Sequence, residues 1–291
     1  MPGTTGLRRA GAAHTPPGST GEPPRPVDVS SIKVGSAAFG RLPAAWQQAV
    51  RDARTFASGQ LRGVSPPPRV LVVASPSNGR APVTVLVPAG ARAPLRVQTH
   101  YHGDHARALG ANPAAAAIAS QLRRGDATVF VLPEAAKVGA PTGWSNARSL
   151  GGTTDEALAA AGLSGEVEHR TLSVHSAGGR ALVGALKQGE SLRADHLVIQ
   201  DALFESTSGR GVATFLKQRL PVAAAGVARI TLVPSTGPGA AGLMRDLDEP
   251  RLSRTEVLGR ELRLAGRAVA VVNVRTHDDA AGQLRPGGWT S

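Results

Sequence analysis

From residue 69 to residue 274 the chain alternates short β-rich runs with helix-compatible runs, and several of the β-rich runs are apolar at both odd and even positions. Ala127 to Leu132 and Leu197 to Ile199 are of this kind. A strand that is apolar on both faces must be covered on both faces, which commits the chain to a mostly parallel sheet with helices on each side. The expected strands are Arg69–Ala74, Val83–Val87, Leu95–Thr99, Ala127–Leu132, Arg170–Val174, His196–Gln200, Ala228–Val233 and Ala268–Val274. Pro76-Ser77-Asn78-Gly79 between the first two marks a hairpin. The expected helices are Leu42–Phe56, a run opened by Asn112-Pro113 and stopped by Gly125, a run to Ala161 opened by Thr153 and Glu156 as a capping box, Gly179–Lys187, Val212–Leu220 and Arg254–Leu264. The fold class is therefore α/β: an N-terminal β-hairpin, then a mostly parallel sheet between two helical layers.

Four segments follow from composition. Residues 1–30 are rich in Gly, Pro, Thr and Ser and read as a disordered arm. Residues 31–68 hold a helix and a proline-rich linker, 69–280 the α/β domain, and 281–291 a tail. Of the 291 residues 41% are hydrophobic, enough for a sizeable core, and none is cysteine. Disulfides, cysteine-type zinc sites and thiol catalysis are thereby excluded. No apolar run reaches the roughly 18 residues of a membrane span. Arg8 and Arg9 are not followed by an apolar stretch, so a Sec signal peptide is not expected. A cytoplasmic protein, or one exported without such a signal, fits this pattern. The net charge of +12 is carried mainly by arginine and reads as a solvated basic surface. With 3% aromatics there is little for base stacking, and nucleic-acid binding is a minor alternative.

The chemistry concentrates at His175-Ser176-Ala177-Gly178-Gly179. A β-rich run enters this stretch and a helix-compatible run leaves it. A strand that turns sharply into a helix lifts a serine hydroxyl out of the sheet, and only small neighbours fit so tight a turn. Ala177 and Gly178 meet that need, while Ser173-Val174 stands where a first glycine is expected. Asp201 ends the run Leu197 to Gln200, and His277 follows the run Val271 to Thr276. Both are strand ends on one edge of a parallel sheet, where such folds place ligands.

This order of elements, with a degenerate elbow after the fifth predicted strand, resembles the α/β-hydrolase fold over residues 69–280. The resemblance implies a nucleophile at Ser176, an acid at Asp201 and a histidine at His277, in the family's chain order. Many family members carry the acid one strand later, where this chain reads Val233-Pro234-Ser235-Thr236-Gly237; Asp246 and Asp248 are the later candidates. The oxyanion hole is expected from the Ala177 amide together with Gly103 or Asp104, since His102-Gly103 resembles the family's His-Gly segment. Trp144 and Asn146 line a pocket or serve packing. The implied activity is ester hydrolysis, with amide hydrolysis the lesser expectation, on a small-molecule or polymer-linked acyl substrate and without a cofactor. Oligomeric state is not specified.

A rival reading uses the same loop. His100-x-His102-x-Asp104-His105 resembles the zinc-binding His-x-His-x-Asp-His segment of the metallo-β-lactamase fold. It implies a metal held by His100, His102, Asp104 and His105, with His175, Asp201 and the region of Thr236 as further positions. The Asp-x-Gly stretch and helix that precede that motif in the family are missing at Val87-Pro88-Ala89-Gly90, and so is its last histidine. A third reading is a hydrolase-like domain that binds without turnover.

Overall fold

A computed structural model describes residues 24–103, 107–110, 113–135, 144, 147–204, 211–238 and 241–283. In chain order these form β1 (Val27–Asp28), α1 (Ala37–Gly40), α2 (Ala44–Gly59), β2 (Arg69–Ala74), β3 (Pro82–Val87), β4 (Leu95–Tyr101), α3 (Pro113–Arg123) and β5 (Val129–Pro133). Then follow α4 (Leu150–Ala160), β6 (Val167–His175), α5 (Gly179–Lys187), β7 (His196–Gln200), α6 (Val212–Ala223), β8 (Arg229–Val233), α7 (Arg254–Leu264), β9 (Ala268–Val271) and α8 (His277–Ala281).

One nine-stranded sheet results, in the order β1-β2-β3-β5-β4-β6-β7-β8-β9. The pairs β1/β2, β2/β3 and β3/β5 are antiparallel. From β5 through β4, β6, β7, β8 and β9 every pair is parallel. The chain leaves β4, crosses to β5 on one side, and returns to β6 on the other. The sheet's topological switch thus lies between β4 and β6, and an open α/β sheet places its ligand crevice beyond the carboxyl ends of strands at such a switch.

Side-chain alternation sorts the two helical layers. Phe130 and Leu132 of β5 pack with Trp46, Val50 and Phe56 of α2 and with Ile118 of α3. Val129 and Val131 of the same strand face Ala157 and Leu158 of α4 instead. Further along, Leu197 and Ile199 of β7 meet Leu182 and Leu186 of α5, Leu216 of α6 and Leu258 of α7. The mostly parallel sheet with helices on both faces is the architecture expected from the apolar runs. No helix among the described residues is long and apolar enough to cross a membrane.

Two local expectations are corrected. Thr153 does not open a helix: α4 begins at Leu150, and Ser149 caps it by accepting from the Gly152 amide at 2.9 Å. Glu156 is drawn out of any capping role by Ser75 and Ser77, whose hydroxyls donate to it at 2.6 and 2.7 Å. The capping box is at Ser253 and Glu256 of α7. Second, Val27 and Asp28 lie within the stretch assigned to the arm but pair with Val72 and Leu71 of β2. A sheet edge recruits them through main-chain bonds that composition does not reveal; residues 1–23 lie outside the described residues. Helix α2 shares a core with β2, β5 and α3.

Candidate active site

β6 ends at His175, and the chain turns at once through a short 3-10 turn, Ser176–Gly178, into α5. Ser176 takes φ +49°, left-handed backbone that a residue with a Cβ avoids. Its small neighbours are required by contact. A Cβ on Gly178 would come within 2.2 Å of the Tyr101 carbonyl oxygen at the end of β4. One on Gly179 would lie 3.1 Å from the Ala202 Cβ and from its carbonyl oxygen. The elbow is therefore wedged between the ends of β4 and β7, and the serine stands half-exposed at the switch point.

The flanking strand ends supply the rest. Asp201 follows β7, is buried, and also has a left-handed backbone at φ +45°. His277 opens α8, beyond β9. Its Nδ1–H donates to Asp201 Oδ2 at 2.6 Å, and the Ser235 hydroxyl donates to the same oxygen at 2.8 Å. Burial works to raise the Asp201 pKa, but the hydrogen bonds from His277 and Ser235 outweigh it and hold the carboxyl below its usual range. With Nδ1 of His277 engaged, its Nε2 is the nitrogen left for other chemistry. Ser235 was not expected. It lies just beyond β8, where the sequence offers no carboxylate, and from there it reaches Asp201 after β7. The later candidates lie elsewhere: Asp246 and Asp248 accept from Lys217 Nζ at 3.0 and 2.7 Å.

On the other side of the serine is the segment after β4. A Cβ on Gly103 would sit 3.2 Å from the Ser176 Cβ and 3.2 Å from His175 Nδ1, so the glycine backbone closes directly over the elbow. His102 Nδ1–H donates to the Gly103 carbonyl at 2.7 Å, and His102 Nε2 lies 3.3 Å from Glu134 Oε2. Trp144 donates from Nε1 to the His102 carbonyl at 3.1 Å and packs against the rings of Tyr101 and His102. Trp144 is thus buried packing beneath this segment. Asp104, the other oxyanion candidate, and Asn146 lie outside the described residues.

The histidines of the rival motif turn to separate partners. His100 Nδ1 is bonded to the Ser173 hydroxyl at 3.0 Å, a hydroxyl that itself donates to the Thr99 carbonyl. Burial, and then the nearby His175 and His102, keep the His100 pKa well below the histidine range. Asp104 and His105 lie outside the described residues, and among the described residues no three His, Asp or Glu side chains gather as a metal-holding group.

His175 has contacts that the sequence did not indicate. It is buried, its Nε2–H donates to the His277 carbonyl at 3.2 Å, and its ring centroid lies 4.4 Å from that of His277.

No protein-family model and no curated protein matches the chain. Among solved structures it is similar to dipeptidyl peptidase 4 of Porphyromonas gingivalis, at 12% identity and TM-score 0.43 over 71% of this chain. The chain spans only 31% of that peptidase's length. It is also similar to carboxylesterase CesB from Bacillus subtilis, at 10% identity and TM-score 0.45 over 81% of this chain and 94% of that one. The Pyrobaculum calidifontis esterase stands at 14% identity and TM-score 0.44, over 82% and 87% of the two chains. Likeness at this level carries no inference about what the chain does, which rests on its own residues.

Proposed function

We propose that the chain is a serine hydrolase that cleaves carboxylic esters, and amides less readily, through an acyl-enzyme. The observation that carries this reading is the 2.6 Å hydrogen bond from His277 to Asp201, set beside a serine held at φ +49° on the same edge of the sheet.

The chemistry follows from those positions. Ser176 Oγ attacks the acyl carbon as its proton passes to His277 Nε2, giving an oxyanion. Asp201 keeps the Nδ1–H tautomer and stabilises the imidazolium that forms, without taking a proton itself. Ser235 holds the carboxylate in place and helps keep it ionised. The Ala177 amide lies at the start of the turn into α5 and serves the oxyanion, with the second donor supplied from Gly103 or Asp104. Collapse of the intermediate breaks the bond to the leaving alcohol, which takes the proton from His277. Water then repeats the sequence on the acyl-serine and releases the acid.

A fluorophosphonate probe tests this proposal. The unsubstituted protein should be labelled and Ser176→Ala should not. Hydrolysis of p-nitrophenyl acetate should fall by about 10⁴-fold or more in that variant, because a triad member removed alone costs almost the whole of the unit's contribution. Both signals should persist after exhaustive chelation. Labelling that survives Ser176→Ala, or activity lost to the chelator, would overturn the reading.

A further inference from the structure

We infer that His175 is the positioning residue for the general base: through its Nε2–H bond to the His277 carbonyl and its ring against the His277 ring, it seats that imidazole over the elbow. The inference rests on the serine-hydrolase reading and adds to it a role for the residue preceding the nucleophile.

Three contacts of one buried side chain converge. Its backbone is the last residue of β6, joined directly to Ser176. Its Nε2–H reaches 3.2 Å to the carbonyl of His277, at the first turn of α8. Its ring lies 4.4 Å, centroid to centroid, from the ring of His277, tilted by 43°. Its remaining nitrogen faces Gly103, where a Cβ would stand 3.2 Å away. Nucleophile, base and oxyanion segment come from β6, the chain after β9 and the chain after β4, and His175 touches all three.

His277 needs such support. Its side chain is 47% exposed. The Asp201 bond fixes one nitrogen, which leaves the ring free to swing about that contact. A second face of contact removes the swing. Reacting groups must be held within about half an ångström of a productive geometry, and a displacement of about 1 Å costs up to about 10²-fold in rate. The far end of α8 is tied down separately, by Gln200 Nε2 donating to the Ala280 carbonyl at 2.8 Å. His175 acts at the end that carries the base.

A positioning ring must present one tautomer. A carbonyl can only accept, so Nε2 carries the proton and Nδ1 carries none. Burial, and then the neighbouring His277, push the His175 pKa down to about 3, so the ring stays neutral where an imidazole base works.

Three substitutions separate this role from packing. His175→Phe keeps a ring and removes the donor. His175→Gln keeps an amide donor at similar reach. His175→Ala removes both. The fluorophosphonate labelling rate and the kcat for p-nitrophenyl acetate should fall about tenfold or more in the Phe and Ala variants, with KM within about twofold. His175→Gln should recover most of the loss. Rates of His175→Phe within twofold of the unsubstituted protein overturn the inference, and so does His175→Gln no faster than His175→Ala. If the variants do not fold, nitrogen NMR of the unsubstituted protein decides: the Nε2–H tautomer of His175 between pH 5 and 8 is expected, and the Nδ1–H tautomer overturns the inference. An unsubstituted protein that is never labelled overturns the hydrolase reading itself. One that is labelled, with the Phe variant labelled as fast, overturns only the role of His175.

Discussion

Ser176 and Asp201 hold left-handed backbone at the ends of neighbouring strands, and neither is glycine. For an ordinary L-residue this conformation costs about 1–2 kcal/mol, and it persists only where the surroundings over-determine it. At Ser176 they do, because β4 and β7 grip the two glycines that follow it. Strain of this kind makes a stability prediction opposite in sign to the activity prediction. Ser176→Gly relieves the bend, so it should unfold at a higher urea concentration than Ser176→Ala, by about 1 kcal/mol, while both lack activity. Equal midpoints would show that the bend is not strained. At this scale the sequence is informative about Ser176, Asp201 and His277 because each follows a readable β-run. It is silent about Ser235 and about the contacts of His175, since neither stands in a pattern that predicts its partner.

The elbow works as a unit of strand, turn and helix. Its tightest contact is the approach of Gly178 to the Tyr101 carbonyl, which no side-chain rotamer can relieve because the obstacle is backbone. Gly178→Ala should therefore destabilise the protein by about 3 kcal/mol or more, or abolish folding. Gly189→Ala provides the contrast: that residue has no neighbour within 4 Å of its would-be Cβ, and its penalty comes only from φ +80°. A Gly178→Ala protein no less stable than Gly189→Ala would mean that the elbow is not seated on β4 as described. Helix α4 shows where reading by element falls short. Thr153 and Glu156 have the spacing of a capping box, yet Glu156 is taken by Ser75 and Ser77 in the turn between β2 and β3. The local preference is real and loses to bonds about 80 residues away in sequence.

Across the molecule, buried neutral histidines couple folding to pH. Burial, then Arg229 and His169, bring the His196 pKa down to about 4, and burial and His277 bring that of His175 to about 3. Unfolded, each would titrate near 6.5. As pH falls through about 6.5 the unfolded chain takes protons that the folded chain refuses until about pH 4 or below, so stability falls with pH throughout that window. Each such histidine contributes up to about 1.4 kcal/mol per pH unit. Asp201, held below the usual carboxylate range, adds its loss only at still lower pH. The urea midpoint should drop steadily from pH 7 to pH 4.5. His196→Gln, which can keep a bond to the Thr231 hydroxyl, should flatten part of that slope without touching the site. A midpoint independent of pH in this range would contradict burial of these rings as neutral groups.

Runs apolar on both faces, broken by helix-compatible stretches, determined by themselves that this chain builds a covered parallel sheet, because unburied apolar area on either face is too costly to leave in water. The same runs marked where strands end, and so which serine, aspartate and histidine share an edge. Only the tertiary structure decided which carboxylate meets His277, that Lys217 takes Asp246 and Asp248 away from it, and that Ser235 and His175 close around the pair. Those contacts join residues 29 to 102 positions apart. They depend on the order in which strands lie side by side, and periodicity along a chain carries no record of that order.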